Sequence, residues 1–169
     1  MNLPLSTLQI AIRAHHGQAD KGGLPYILHP IRVALRLRGT GKRHTVRAAL
    51  LHDVIEDTAV TEAELRTWEP PDVVDAVKWV SRPKTEPRQT YFEWIESIAT
   101  AAPLAARLVK LADLYDNLSP SRLNVLPTVE AGGMWKRYTK ALTILEPAIP
   151  QYLRSYVTRG DIDVRNTWL

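Results

Sequence analysis

A chain of 169 residues with 45% hydrophobic and 24% charged residues has the size and composition of one soluble globular domain, and none of its apolar runs approaches the roughly 20 residues that span a bilayer. There is no cysteine, which excludes disulfides, zinc–thiolate sites and thiol nucleophiles and leaves nitrogen and oxygen to hold any metal. The net charge of +4 suits an anionic partner, but the basic residues are scattered, so a phosphorylated small molecule fits as well as nucleic acid does.

The start, Met1 to Leu5, lacks the basic and hydrophobic regions of a signal peptide, so a cytoplasmic location is expected. Ser6 with Gln9 is a capping-box pattern, and Leu8, Ile10, Ala11 and Ala14 continue it as an amphipathic helix to about Gly17, with His15 and His16 at its close. Gln18 to Tyr26 is a loop by its glycines and proline. Pro30 suits the first position of a second helix that Gly39 stops, with His29 at its entrance. After a short basic turn the third helix is expected from Thr45 to Asp57. Thr61 with Glu64 caps a short helix ending near Trp68, Pro71 opens another that runs to Pro83, and Ser81 to Gln89 reads as an exposed loop. Thr90 with Glu93 caps the next helix, and Pro103 opens the most apolar one, Leu104 to Leu118, on which Lys110, Asp113 and Asn117 share a face. A connector, 119–133, leads to a helix from Met134 to Leu145; Tyr152 to Val157 extends the helical pattern, and 158–169 reads as an irregular tail that Trp168 could anchor. The pattern predicts an all-α domain of about eight helices. It spans 1–169, with the motifs within 6–118, C-terminal helices in 119–157 and the tail beyond.

The stretch from Ala48 to Thr58 puts His52, Asp53, Glu56 and Asp57 into an otherwise apolar segment. At about 100° per residue on a helix, these four lie on one side and Ala48, Leu50, Leu51, Val54 and Ile55 on the other. Carboxylates so close repel one another unless something positive sits between them, and a metal ion meets that need. His29, the His52-Asp53 pair and Asp113 could share such a centre. Two neutral imidazoles and two carboxylates neutralise a divalent cation, and a mixed nitrogen and oxygen set suits Mn²⁺, Fe²⁺ or Mg²⁺. Four protein ligands on an octahedral ion leave positions for water and a phosphate oxygen, the arrangement for metal-assisted hydrolysis.

Four segments, Ala14-His15-His16-Gly17-Gln18, Pro25-Tyr26-Ile27-Leu28-His29-Pro30, Ala48 to Thr58 and Val109-Lys110-Leu111-Ala112-Asp113, occur in this order. Together they resemble the HD-domain hydrolases of the RelA/SpoT type, in particular the small stand-alone forms. The resemblance runs from about Ser6 to Leu118, with a weaker echo at Lys136-Arg137-Tyr138. It implies a helical HD fold holding one Mn²⁺ through His29, His52, Asp53 and Asp113, with Glu56 and Asp57 handling the attacking water, and removal of the 3′-pyrophosphate from guanosine tetra- or pentaphosphate. Lys21 then matches a lysine near the substrate, and Asn117 an asparagine that contacts the nucleoside.

Two departures bear on substrate choice. The family's arginine before that lysine is Asp20 here, which cannot stack on a base and would repel phosphate. The family's Lys-Leu-Ala-Asp-Arg-Leu-His-Asn becomes Lys110-Leu111-Ala112-Asp113-Leu114-Tyr115-Asp116-Asn117, losing an arginine and a histidine. Among Arg32, Arg36, Lys42, Arg43, Arg47, Arg82, Lys84, Arg88 and His44, most are expected to be solvated and one or two to line a pocket. Tyr91, Phe92 and Trp94 read as core rather than as a base-stacking shelf. Three other readings stay open beside the pyrophosphohydrolase: an HD phosphatase or phosphodiesterase on another nucleotide, such as a nucleoside monophosphate or NADPH; a non-catalytic nucleotide-binding regulator; and nucleic-acid binding, which rests on the basic pI alone.

Overall fold

The structure, a computed structural model, describes residues 6–84 and 89–162. Arg88, Trp168 and the middle of the Ser81–Gln89 loop lie outside the described residues. The chain forms helices α1 (Thr7–Ala14), α2 (Leu28–Arg36), α3 (Arg43–Leu51), α4 (Val54–Asp57), α5 (Glu62–Trp68), α6 (Pro71–Val80), α7 (Tyr91–Ala101), α8 (Leu104–Asn117), α9 (Pro120–Leu123), α10 (Thr128–Leu145) and α11 (Gln151–Arg154), with single 3₁₀ turns after α2 and α10. Among the described residues the only β pairing is an isolated bridge between Ala19 and Pro25, in keeping with the all-α expectation. No helix among them is long and apolar enough to cross a membrane.

All three capping boxes form with both reciprocal bonds: Ser6 with Gln9, Thr61 with Glu64, and Thr90 with Glu93. Each fixes where its helix begins, and an N-cap of this kind is worth about 1 kcal/mol. α8 is the centre of the fold. Every residue from Leu108 to Asn117 is buried, as a helix enclosed on all sides must be. It packs against α2, α3, α6, α7 and α10, while α3 also meets α1, α2 and α6. The core therefore runs from Ile10 on α1 through Leu51, Val77, Ile98 and Leu111 to Leu145 and Leu153.

Several boundaries differ from the sequence expectation: α1 ends at Ala14 rather than near Gly17, the stretch expected as a connector carries the short helix α9, and four further differences bear on the site or the core. The third helix is not continuous: α3 ends at Leu51 and α4 begins at Val54, so the His52-Asp53 pair forms the turn between them. The His52 ring Nδ1 pairs with the Ala49 carbonyl at 2.8 Å, the acceptor that a continuing helix would give to the Asp53 N–H. Asp53 has φ −98° and ψ −3°, at the edge of the right-handed helical region toward the bridge. The second helix starts at Leu28, so His29 sits inside its first turn, where Pro30 costs no hydrogen bond. α10 starts at Thr128 after Pro127 and runs through Gly132 and Gly133, within the stretch expected as a connector; glycine costs about 1 kcal/mol against alanine in a helix, and burial of Met134, Ala141 and Leu145 offsets it. Near the end only Gln151–Arg154 is α-helical, and Tyr152 and Tyr156 are exposed.

Candidate metal centre

His29 from α2, His52 and Asp53 from the turn after α3, and Asp113 from α8 converge because these helices pack on one another. His29 Nε2 lies 3.2 Å from Asp113 Oδ1 and 3.6 Å from Asp53 Oδ2, while His52 Nε2 lies 2.9 Å from Asp53 Oδ2 and 3.8 Å from Asp113 Oδ1. Candidate ligand atoms of His29, His52 and Asp53 all fall within 4.8 Å of one another. Asp113 joins them through its short approaches to both imidazoles. His29, His52 and Asp113 are buried and Asp53 is half-buried, so the cluster reaches solvent on the Asp53 side.

Each imidazole is held from behind. His29 Nδ1 pairs with Asp116 Oδ2 at 2.8 Å, and His52 Nδ1 with the Ala49 carbonyl, so both rings turn Nε2 toward the carboxylates. Two groups aim Asp113 in the same way. Lys110 Nζ donates to Oδ2 at 2.8 Å and Asn117 Nδ2 to Oδ1 at 2.6 Å. Tyr26 Oη donates to Asp53 Oδ2 at 2.5 Å, and its ring packs between His29 and buried His15.

The charges of the cluster bear on what it can hold. Burial would push the His52 imidazole down, but the Asp53 and Asp113 carboxylates overcome it and raise the pKa to about 9. Burial likewise opposes ionisation of Asp53 and Asp113, and their neighbours reverse it: the His52 imidazole foremost holds Asp53 well below the ordinary carboxylate range, and Lys110 foremost holds Asp113 there. Among the described residues, buried His52 Nε2 has no hydrogen-bond partner despite its closeness to Asp53. An unbonded buried imidazole nitrogen beside two ionised carboxylates is the donor set of a divalent cation, and these residues fit one.

Glu56 and Asp57 lie on α4, one turn past the His52-Asp53 pair. Glu56 Oε2 accepts the Arg82 backbone N–H at 2.8 Å, and the Asp57 backbone carbonyl accepts from Gln18 Nε2 at 2.9 Å. Burial and the Asp53 charge raise both carboxyls above their ordinary range, which brings them nearer the neutral pKa of an effective general base.

The residues expected at the substrate are already engaged. Lys21 pairs with Glu130 on α10, and Asn117, besides holding Asp113, accepts from Arg122 Nη2 at 3.1 Å. Asp20 Oδ1 accepts the backbone N–H groups of Gly22 and Leu24 at 2.9 and 3.0 Å, and its Oδ2 lies 3.8 Å from Arg122 Nη1. Its charge is thus spent within its own loop and on Arg122 rather than facing outward. Asp20, Lys21, Arg32 and Arg122 line a cavity of about 60 Å³.

Arg32 and Arg36 are not solvated. Both are buried against Asp116, with Arg32 Nε 3.1 Å and Arg36 Nη2 2.9 Å from its Oδ1. Burial opposes the Asp116 charge, but His29 and these two arginines hold its pKa at about 2. Trp94 is in the core and half-buried Tyr91 packs against it, whereas half-buried Phe92 lies outside the core cluster with Lys140 Nζ over its ring; Lys110 Nζ stands 4.5 Å from the centroid of the Trp94 ring. The sequence reading missed Asp116, Arg32 and Arg36 as partners of the centre, and Tyr26, which stands in a quoted motif without a role.

The family profile described as HD domain matches residues 7–122, which contain all these groups except Glu130. The chain is 38% identical over 116 residues to a protein of Aquifex aeolicus named guanosine-3′,5′-bis(diphosphate) 3′-pyrophosphohydrolase, covering 65% of this chain and 16% of that protein. It is 37% identical over 119 residues to the Danio rerio protein of that name designated MESH1, covering 68% of this chain and 66% of that protein. The matched part is thus a small fraction of the bacterial relative's length and just under two thirds of the Danio rerio protein's. A solved structure described as a metazoan ortholog of SpoT that hydrolyses ppGpp superposes with a TM-score of 0.75 at 26% identity, covering 93% of this chain and 94% of that one.

Proposed function

The chain belongs to the HD-domain family, and from that premise we propose that it is a metal-dependent phosphohydrolase that removes the 3′-pyrophosphate of guanosine tetra- or pentaphosphate, consuming one water and giving GDP or GTP. The observation that carries the phosphohydrolase reading is the convergence of His29, His52, Asp53 and Asp113, with His52 Nε2 buried and unbonded among the described residues. The names of the relatives, and the likeness over 93% of the chain to a structure described as hydrolysing ppGpp, support the substrate.

In this reading the four residues hold Mn²⁺, with Fe²⁺ or Mg²⁺ as substitutes. The ion would supply Lewis-acid polarisation of a phosphoryl oxygen and acidity for the attacking water. The chain's own groups do the rest. Lys110 and Asn117 fix the rotamer of Asp113, and Tyr26 fixes that of Asp53. Glu56 and Asp57, their carboxyls raised toward neutrality, orient the water and accept its proton as its oxygen attacks phosphorus and the bond from phosphorus to the ribose 3′-oxygen breaks, that oxygen taking up a proton to leave as the 3′-hydroxyl. Lys21 leaves Glu130 to meet a substrate phosphate, and Asn117 contacts the nucleoside.

The test is incubation of the purified protein with Mn²⁺ and a panel of guanosine tetraphosphate, nucleoside monophosphates and NADPH, following pyrophosphate and orthophosphate. Pyrophosphate from guanosine tetraphosphate is the expected result. Orthophosphate from another member of the panel would move the assignment to a different nucleotide, a reading that the absence of the family's base-stacking arginine, replaced here by Asp20, keeps in view. No product from any member would leave a nucleotide-binding regulator.

A further inference from the structure

Asp116 is fully buried on α8, and its carboxylate meets three cationic or donor groups from α2 and no solvent. His29 takes Oδ2 at 2.8 Å through Nδ1, Arg32 Nε reaches both oxygens at 3.1 Å, and Arg36 Nη2 takes Oδ1 at 2.9 Å. Two arginines are more positive charge than one carboxylate needs. They keep Asp116 an acceptor, so the hydrogen between it and His29 belongs to the imidazole. With Nδ1 committed to donating, the neutral ring must carry its lone pair on Nε2, the atom 3.2 Å from Asp113 Oδ1 and 3.6 Å from Asp53 Oδ2.

We propose that Asp116, clamped by Arg32 and Arg36, is the positioning residue that sets the tautomer and ring plane of His29 for a divalent cation. The inference rests on the metal-centre reading above and adds to it a residue outside the ligand set. It also extends the site to the C-terminal segment. Arg36 Nη1 donates to the carbonyls of Thr158 and Gly160 at 3.0 and 2.6 Å, so the clamp on Asp116 is itself held by residues more than 120 positions further along the chain. His52, whose Nδ1 meets only a backbone carbonyl, has no such clamp, and the two imidazoles are unequal ligands.

The experiment is a Mn²⁺ titration without nucleotide, free Mn²⁺ being counted by electron paramagnetic resonance, on the wild type, Asp116→Asn and the double variant Asp116→Asn/Arg32→Met. The double variant removes a buried cation together with the carboxylate, so that it folds where the single variant strands both arginines. Both are expected to bind Mn²⁺ about 10- to 100-fold more weakly, the usual effect of losing a partner behind a ligating histidine. As a readout that a purely structural role would not move, a long-range ¹⁵N–¹H spectrum of the wild type with Zn²⁺ as a diamagnetic stand-in should show the His29 proton on Nδ1. Wild-type affinity in the folded double variant overturns this inference alone, whereas a proton on His29 Nε2 overturns it together with His29 as a ligand of the centre. Absence of Mn²⁺ binding by the wild type overturns it together with the metal-centre reading. Mn²⁺ binding without hydrolysis of guanosine tetraphosphate leaves it standing and removes only the substrate.

Discussion

Replacing Lys110 by methionine tests how the buried charges of the centre are balanced. Lys110 is buried, donates to Asp113 Oδ2 at 2.8 Å and stands over the Trp94 ring. Methionine keeps most of the stem and its contacts but removes the cation, leaving the Asp113 carboxylate with one neutralising group fewer. Breaking a buried pair by removing one partner costs about 3–5 kcal/mol, and at about 2–4 °C per kcal/mol for a chain of this size the melting temperature should fall by roughly 6–20 °C. That holds for the protein stripped of metal with a chelator. With saturating Mn²⁺ the stranded carboxylate regains a positive neighbour, so the fall should shrink, and Mn²⁺ should raise the melting temperature of Lys110→Met more than that of the wild type. Thermal unfolding followed by circular dichroism, with and without Mn²⁺, gives all four values. Equal falls in both conditions would refute the idea that Lys110 and a cation share Asp113, and a fall under about 2 °C would refute the burial cost.

Three further outcomes are expected. His52 is raised from 6.5 to about 9, so its protonation contributes stability that is complete below its unfolded pKa and lost as pH climbs through the folded value; metal-free protein should lose roughly 3 kcal/mol between pH 6.5 and 9. Urea melts across that range measure it, and saturating Mn²⁺, which replaces the proton, should flatten the profile. Glu56→Gln should lower kcat by about 10²–10⁴ while leaving Mn²⁺ affinity within about twofold, and an unchanged kcat would remove Glu56 from proton transfer. Lys21 and Glu130 form an exposed pair, so Lys21→Ala should change stability by less than about 1 kcal/mol while raising KM for guanosine tetraphosphate. Glu130→Ala should lower that KM by freeing the lysine, and steady-state kinetics on both variants read the opposite signs.

The helices were legible where the signal is local. Capping boxes and prolines act over three or four residues, and every helix they announced is present, from Thr7–Ala14 to Leu104–Asn117. That His29, His52, Asp53 and Asp113 come together could be expected from the sequence, because each stands in a short motif with an apolar flank and the set offers only nitrogen and oxygen donors. The break at His52-Asp53 was not, because it depends on a side chain competing with the backbone for the Ala49 carbonyl, which periodicity does not register. Asp116 was hidden for a different reason. Beside Asp113 it looked like a departure from a pattern, and only the packing of α8 on α2 brings Arg32, Arg36 and His29 onto its other face. Arginines at helix spacing read as a solvated face until a buried acid is placed opposite them. Asp20 failed in the reverse direction: its residue type suggested repulsion of phosphate, whereas its carboxylate is consumed by its own turn and Arg122.

The bonds that hold the centre are long in sequence, 87 positions from His29 to Asp116 and 124 from Arg36 to Gly160. A chain synthesised from its N-terminus has His29, His52 and Asp53 well before α8 exists. Until α8 docks, those groups are an exposed, unpositioned set of imidazoles and a carboxylate. Closing loops of this length is slow relative to forming the capped local helices. The competence to hold a metal tightly should therefore arise late in folding, as one step with the burial of α8, so that metal added to a refolding chain reports on the final docking event rather than on helix formation.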